Sequence, residues 1–189
     1  MNEMLETIRQ RRSVRSYRQE AVPRELIETV IAAGNHAPSA MNSQPWRFVV
    51  VEETGFRKKL LAAALPGART FFESIRNADP ERYEAIRRRL EETEDPIYYS
   101  APAIIFVIGN GRYADHSCPL ACQNIMLAAH SLGLGTCWVG LGAMITGDPE
   151  IAKALELKED EKIFGPILLG YPAQIPNAPA KKGAVIRWI

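Results

Sequence analysis

Five consecutive residues, Arg11-Arg12-Ser13-Val14-Arg15, place three guanidiniums and a hydroxyl side by side. A guanidinium is planar, permanently charged and offers paired N–H donors, so this grouping suits a phosphate. It equally suits a solvated helix end, where cations meet the negative pole of the macrodipole. A second segment, residues 37–46 (APSAMNSQPW), crowds amides and hydroxyls between two prolines. A stiffened loop of that kind can hydrogen-bond the edge of a heteroaromatic ring, and a plain capped turn would look the same. Other routes to chemistry are thin. His36, His116 and His130 share no metal-ligand spacing with one another or with a cysteine pair, so no metal site is expected. Cys118 and Cys122, four residues apart, read as small buried hydrophobes rather than a redox pair. Gly133-Leu134-Gly135-Thr136 and Gly140-Leu141-Gly142 lack the last glycine and the strand-then-helix setting of a dinucleotide fingerprint, and no P-loop or nucleophile elbow is present. An enzyme built on this sequence would need a cofactor for its chemistry.

The 189 residues are enough for one ordinary domain, and 47% hydrophobic with 24% charged residues is a soluble globular composition. A net charge of +1 gives no basic excess for a nucleic acid or an anionic membrane surface to use. The charge is uneven, however. Residues 1–47 hold seven arginines against five glutamates, and residues 173–189 hold Lys181, Lys182 and Arg187 with no acid. Residues 79–95 reverse the sign, with four arginines against seven acids. Two basic ends suggest a local anion site built from both, or an ordinary fluctuation of surface charge. Three cysteines cannot all pair within one chain, no apolar run is long enough to span a bilayer, and Glu3 and Glu6 do not suit an organellar presequence. The expectation is a cytoplasmic protein.

The elements that must carry these segments follow from apolar spacing. A helix is expected over 2–10 with Met4, Leu5 and Ile8 on one face. Pro23 at a first helical position and Gly34 as a C-terminal cap bracket a second helix. Residues 47–51 read as a strand buried on both faces, and Thr54 as the cap of a helix carrying Phe56, Leu60 and Leu61. Asp79-Pro80 opens a polar helix with a Glu84–Arg88 pair, an exposed arm over 79–95. Strands are expected over 103–108, 136–140 and 162–171, with a largely apolar helix from Pro119 to Leu132 and a short one opened by Asp148-Pro149. The tail, 173–189, is proline-rich and then extended, a candidate for exchange between subunits or for packing on its own sheet. Interleaved helices and strands give an α/β or α+β class in a single domain, 1–189.

Four stretches together resemble the nitroreductase family of flavoproteins: IRQRRSVRSY (8–17), APSAMNSQPWRF (37–48), QNIMLAAHSLGLGTCWVG (123–140) and LGYP (169–172). They occur in that family's order across nearly the whole chain. The resemblance implies an α+β fold with a central mixed or antiparallel sheet flanked by helices, an intertwined homodimer, and FMN at the subunit interface. It implies that Arg11, Arg12 and Ser13 hold the phosphate and ribityl chain, helped by Lys181 or Lys182, and that Arg15 faces the pyrimidine edge and stabilises the reduced flavin. Pro38, Ser39, Ala40 and Asn42 would close over the ring from the other subunit, with Trp138, Val139 and Gly140 along it; Val139 stands where several relatives have an acid. The implied activity is hydride transfer from NADH or NADPH to FMN and on to a nitroaromatic, quinone or similar small-molecule oxidant. A non-catalytic FMN-binding or storage module is the alternative.

Overall fold

The structure, a computed structural model, describes residues 2–189. Four strands form one sheet: β1 (Trp46–Val51), β2 (Ala103–Asn110), β3 (Gly135–Trp138) and β4 (Glu161–Gly170), in the order β1-β2-β4-β3 with every ladder antiparallel. Six helices surround it: α1 (Glu3–Gln10), α2 (Arg24–Asn35), α3 (Thr54–Glu73), α4 (Pro80–Glu92), α5 (Ala114–Ser131) and α6 (Pro149–Ala154). Alternate residues of β2 feed two cores, as the pleat requires. Ile104, Phe106 and Ile108 pack with Leu60, Ala64 and Ala68 of α3. Ile105 and Val107 face Val30 of α2 and Ile125 of α5. The sheet is therefore sandwiched between helices, an α+β architecture, and no described helix is long and apolar enough to cross a membrane.

Several local expectations are corrected. Strand β1 packs on both faces, Val49 and Val51 in one core and Trp46, Phe48 and Val50 in the other, but only Trp46 and Val51 are fully buried, because it has a strand neighbour on one side alone. Helix α2 starts after Pro23, and Gly34 lies within it, not at its cap. That glycine is there for packing, since a Cβ would stand 2.6 Å from Ile125 Cγ1 of α5. Glu53, not Thr54, caps α3, its carboxylate accepting the N–H groups of Gly55 and Phe56. On α4, Glu84 pairs with Arg87 at 3.0 Å instead of with Arg88, and Arg87 also reaches Glu91 at 2.6 Å. Tyr83 and Leu90 of the same helix are buried, and the Tyr83 hydroxyl donates to Glu73 of α3. Helix α5 begins at Ala114, more than a turn before Pro119, which forfeits one backbone bond near the start of the helix and does not initiate it.

The segment after α1 is fastened to the open side of β3. Val14 N–H donates to the Thr136 carbonyl at 2.9 Å, and Ser13 and Thr136 form a parallel bridge. Arg18 N–H bonds Tyr171 O and Ala173 N–H bonds Ser16 O, each at 2.9 Å, while the buried Tyr17 hydroxyl donates to Val14 O at 2.7 Å. Gly135 makes the approach possible: a Cβ there would meet Val14 side-chain carbons at 2.8–3.0 Å. Beyond this segment, residues 174–189 are exposed and have no regular element.

A partly buried ion pair ties β1 to β4. Arg47 reaches Glu161 at 2.6 Å and also donates to the carbonyls of Leu155 and Glu156. The Arg47 bonds pull the Glu161 carboxyl down to about 2, against about 4.3 for an unfolded glutamate. A carboxyl depressed by folding stabilises the protein above its unfolded pKa, and that contribution drains away as pH falls toward its folded one. Urea unfolding should accordingly show wild type ahead of Glu161→Gln by about 2 kcal/mol at pH 6, with the gap closing between pH ~4.3 and ~2. A gap unchanged at pH 2.5 would refute the pairing. The Val14 seat has its own test: Gly135→Ala should cost about 1–3 kcal/mol of unfolding free energy by overpacking, and wild-type stability in that variant would mean that Val14 is free to move.

Candidate functional site

Helix α1 ends by handing its cationic residues to the sheet. Arg11 is its C-cap, and the Arg12 guanidinium donates to the carbonyls of Arg9 at 2.6 Å and Arg11 at 2.8 Å, satisfying acceptors that the last turn leaves open. Both arginines line a cavity of about 90 Å³ floored by residues 133–136 and flanked by His130 and Pro172. That volume admits a group the size of a phosphate and falls well short of the several hundred Å³ of a typical small-molecule pocket. Thr136, also in the lining, is almost wholly buried and its hydroxyl has no partner. Such a group is rare in a folded protein and points to a missing polar atom. On the other side of Val14, Arg15 lies close enough to Tyr17 and Cys137 to act on both electrostatically. Burial outweighs it in each case and pushes both groups up.

Strand β3 leads directly from this cavity to Trp138, Val139 and Gly140. Val139 is buried and its N–H is held by the Pro166 carbonyl at 2.9 Å, whereas Trp138 and Gly140 are exposed. Of the sequence-predicted residues, Ser13 bridges Thr136, Arg11 and Arg12 line the cavity at the start of β3, Arg15 acts on Cys137, and Trp138, Val139 and Gly140 form a run from the end of β3. Backbone N–H groups on such a run, beside a fixed cation, can bind a phosphate and the polar edge of a flat ring.

The second predicted segment is elsewhere. A short 3₁₀ turn, Ala40–Asn42, follows α2, and Met41, Asn42 and Gln44 all hold positive φ, at 55°, 52° and 42°. Non-glycine residues in that region cost about 1 kcal/mol or more each and recur at functional loops. The turn is braced from within: Gln44 N–H donates to Ser39 Oγ at 3.0 Å and Gln44 Nε2 to Asn42 Oδ1 at 3.1 Å. Ala40 N–H reaches Ser117 Oγ at 3.4 Å, near the start of α5, while His130 marks its far end. Ser117 and His130 are thirteen residues apart, about 20 Å of helix rise. A single chain therefore does not bring Pro38, Ser39, Ala40 and Asn42 onto the arginine cavity. Lys181 and Lys182 are exposed in the tail beyond Ile175, which does line the cavity.

Two features of the site were not singled out by sequence reasoning. His130 was weighed only for metal spacing, and the proximity of the chain segments around 11 and 130 is a tertiary fact with no local signature. Thr136 looks like any small strand residue until its environment is seen. The burial and charges at the cavity push the His130 imidazole down, through desolvation first and then Arg11 and Arg12. A third feature lies behind it: Met4, Leu5 and Ile8 of α1 are all exposed, beside a groove of about 580 Å³ running between α1, α2 and α5.

Comparison with known proteins identifies the family and the fold. The nitroreductase family model matches residues 8–171. A protein of Methanothermobacter thermautotrophicus, named as a candidate NADH dehydrogenase/NAD(P)H nitroreductase, is 31% identical over 175 residues, covering 93% of this chain and 80% of its own. The iodotyrosine deiodinase of Thermotoga neapolitana is 26% identical, covering 100% of this chain and 98% of its own. The crystal structure of a nitroreductase with bound FMN from Bacteroides fragilis superimposes with a TM-score of 0.77 at 28% identity, with both chains fully covered. With its family model matched from the last turn of α1 to the end of β4, the chain belongs to the nitroreductase family.

Proposed function

We propose that this protein is an FMN-dependent oxidoreductase that works as a homodimer and passes electrons from NADH or NADPH to an electron-poor small molecule such as a nitroaromatic or a quinone. The observation that carries the reading is the phosphate-sized cavity bounded by Arg11 and Arg12, beneath which the Thr136 hydroxyl lies buried and unpartnered. A phosphate is the group whose oxygens would satisfy both guanidiniums. FMN held there would supply the two-electron chemistry that the side chains lack, linking a nicotinamide donor to the oxidant, each using the site in turn.

The chain's own residues bind and bias. Arg11, Arg12 and Ser13 hold the phosphate and ribityl end, and Lys181 or Lys182 closes over it from the tail. Arg15 supplies a fixed cation where a reduced flavin carries negative charge, favouring the reduced form. Trp138 and Gly140 present backbone groups to the ring edge, and Val139 between them fixes the turn through its bonds to Pro166 and Gly142. Pro38, Ser39, Ala40 and Asn42 come from the second copy, which the length of α5 supports because one chain holds that loop about 20 Å from the cavity. The exposed Met4, Leu5 and Ile8, with Leu120 and Leu132 of α5, form the kind of apolar surface that a second subunit covers. Three free buried thiols suit the reducing cytoplasm. The similarity to a deiodinase supports a second class of oxidant, a halogenated phenol, for the same site.

The purified protein should bind FMN and turn yellow, anaerobic NADH or NADPH should bleach it, and a nitroaromatic, quinone or iodophenol should restore the colour. Yellow protein that neither nicotinamide bleaches would make it a storage module, and protein that fails to bind FMN would refute the reading altogether. Arg11→Ala should weaken FMN by about 10- to 100-fold, the worth of a charge-assisted bond, while leaving riboflavin binding unchanged. Equal weakening of both would move the phosphate elsewhere.

A further inference from the structure

The imidazole of His130 has no place in the arrangement proposed above. It occupies the last turn of α5 and shares the small cavity with Arg11, Arg12 and Thr136. It is half-buried, and among the described residues no hydrogen bond to its ring is recorded. The groups around it are unusually uniform in charge. Arg11 and Arg12 face it from the end of α1. Strand β3 offers the neutral Thr136, and the residues after β4 offer Pro172 and Ile175. Helix α2 packs on α5 through Gly34 against Ile125, an uncharged contact. Of the two acids of α1, Glu3 lines the separate groove that holds Ser131, and Glu6 accepts a hydrogen bond from Gln10. No carboxylate balances the two guanidiniums at the ring.

We infer that His130 is a proton-operated third cation of the phosphate cavity: neutral beside the two arginines alone, it takes up a proton when a phosphate dianion enters, so that retention of FMN becomes sensitive to pH. The inference rests on the reading that the phosphate of FMN sits against Arg11 and Arg12. The physical argument is one of sign. Two positive charges next to an imidazole oppose its protonation, and the ring is driven toward its neutral form. A phosphate dianion of charge about −2 offsets both, leaving the negative pole of the α5 dipole to favour the imidazolium. An N–H of the protonated ring then donates to the phosphate. The proton comes from solvent and returns there when the phosphate leaves. No covalent bond changes.

Because phosphate itself ionises near pH 6, the test compares variants at each pH and does not read one curve in isolation. FMN and, as a phosphate-free probe, riboflavin are titrated into wild-type, His130→Gln and His130→Lys apoprotein between pH 5.5 and 8.5, with flavin fluorescence as the readout. Calorimetry in two buffers of different ionisation heat measures the protons exchanged. His130→Gln should bind FMN several-fold more weakly than wild type at pH 6 and equally at pH 8.5. His130→Lys, with a permanent charge, should match wild type at pH 6 and exceed it at pH 8.5. Wild type should take up more protons on binding FMN than His130→Gln does, with no such difference for riboflavin. FMN affinities of wild type and His130→Gln that run parallel across the range, with equal proton uptake, would overturn the inference while leaving the phosphate reading intact. If Arg11→Ala, measured alongside, binds FMN as wild type does, the phosphate reading falls and this inference with it.

Discussion

Val14 donates its backbone N–H to the carbonyl of Thr136 at 2.9 Å, and the charged groups of the site are placed by that attachment. Strand β3 pairs with β4 on one side only, so its other side would be an open edge with unpaired backbone groups. Residues 13–18 cover it, with Tyr17 and Arg18 continuing the attachment onto the exit of β4. Since side chains alternate along an extended segment, burying Val14 between β3 and the core leaves Ser13 and Arg15 to point elsewhere. Gly135 is what lets Val14 come this close. The position of the candidate binding residues is therefore a by-product of edge protection.

Bringing Arg11, Arg12 and Arg15 to the end of one strand has an electrostatic cost. Part of it is offset locally, because Arg12 donates to two carbonyls at the C-terminus of α1, where the helix dipole is negative. What remains is the unsatisfied hydroxyl of Thr136 and a histidine pushed toward neutrality. The second is relieved by an anion. In the proposed function the cofactor's phosphate supplies it, so that binding completes a polar arrangement the protein leaves open, and the loaded protein should be more stable than the apoprotein by linkage.

Much of this was legible in the sequence, for reasons that differ by element. The cluster at 11–15 is dense enough in one chemistry to stand out, and the apolar runs of β2 and β4 announce buried strands. Errors came where a local signal competes with a tertiary one. Gly34 carries the sign of a helix cap yet is required inside α2 by the side chain of Ile125. Pro119 looks like a helix start, but the helix begins with Ala114 packed into the core on the α2 side of the sheet. Strand β1 has the composition of a buried strand and the position of an edge. His130 and Thr136 were illegible for a more general reason: neither has a partner near it in sequence, and their meaning comes from α1 ending beside them.

One chain keeps the two candidate binding segments apart. The cationic residues beside β3 are at one end of α5, the strained, donor-rich turn at 40–42 is at the other, and an apolar face on α1 lies uncovered. A two-fold pair of chains is the arrangement proposed to bring the end of one α5 against the start of the other, giving two clefts each built from both subunits. Mixed dimers test this directly. One subunit carries Arg11→Ala with Arg15→Ala, and the other carries Ser39→Ala with Asn42→Ala, each with its own affinity tag so that only the hybrid is recovered. If the clefts are shared, one is doubly damaged and the other wholly intact, and the hybrid binds one FMN per dimer with wild-type affinity. Hybrids with no wild-type site, each cleft showing a single lesion, would place both halves within one chain and would be incompatible with a shared cleft.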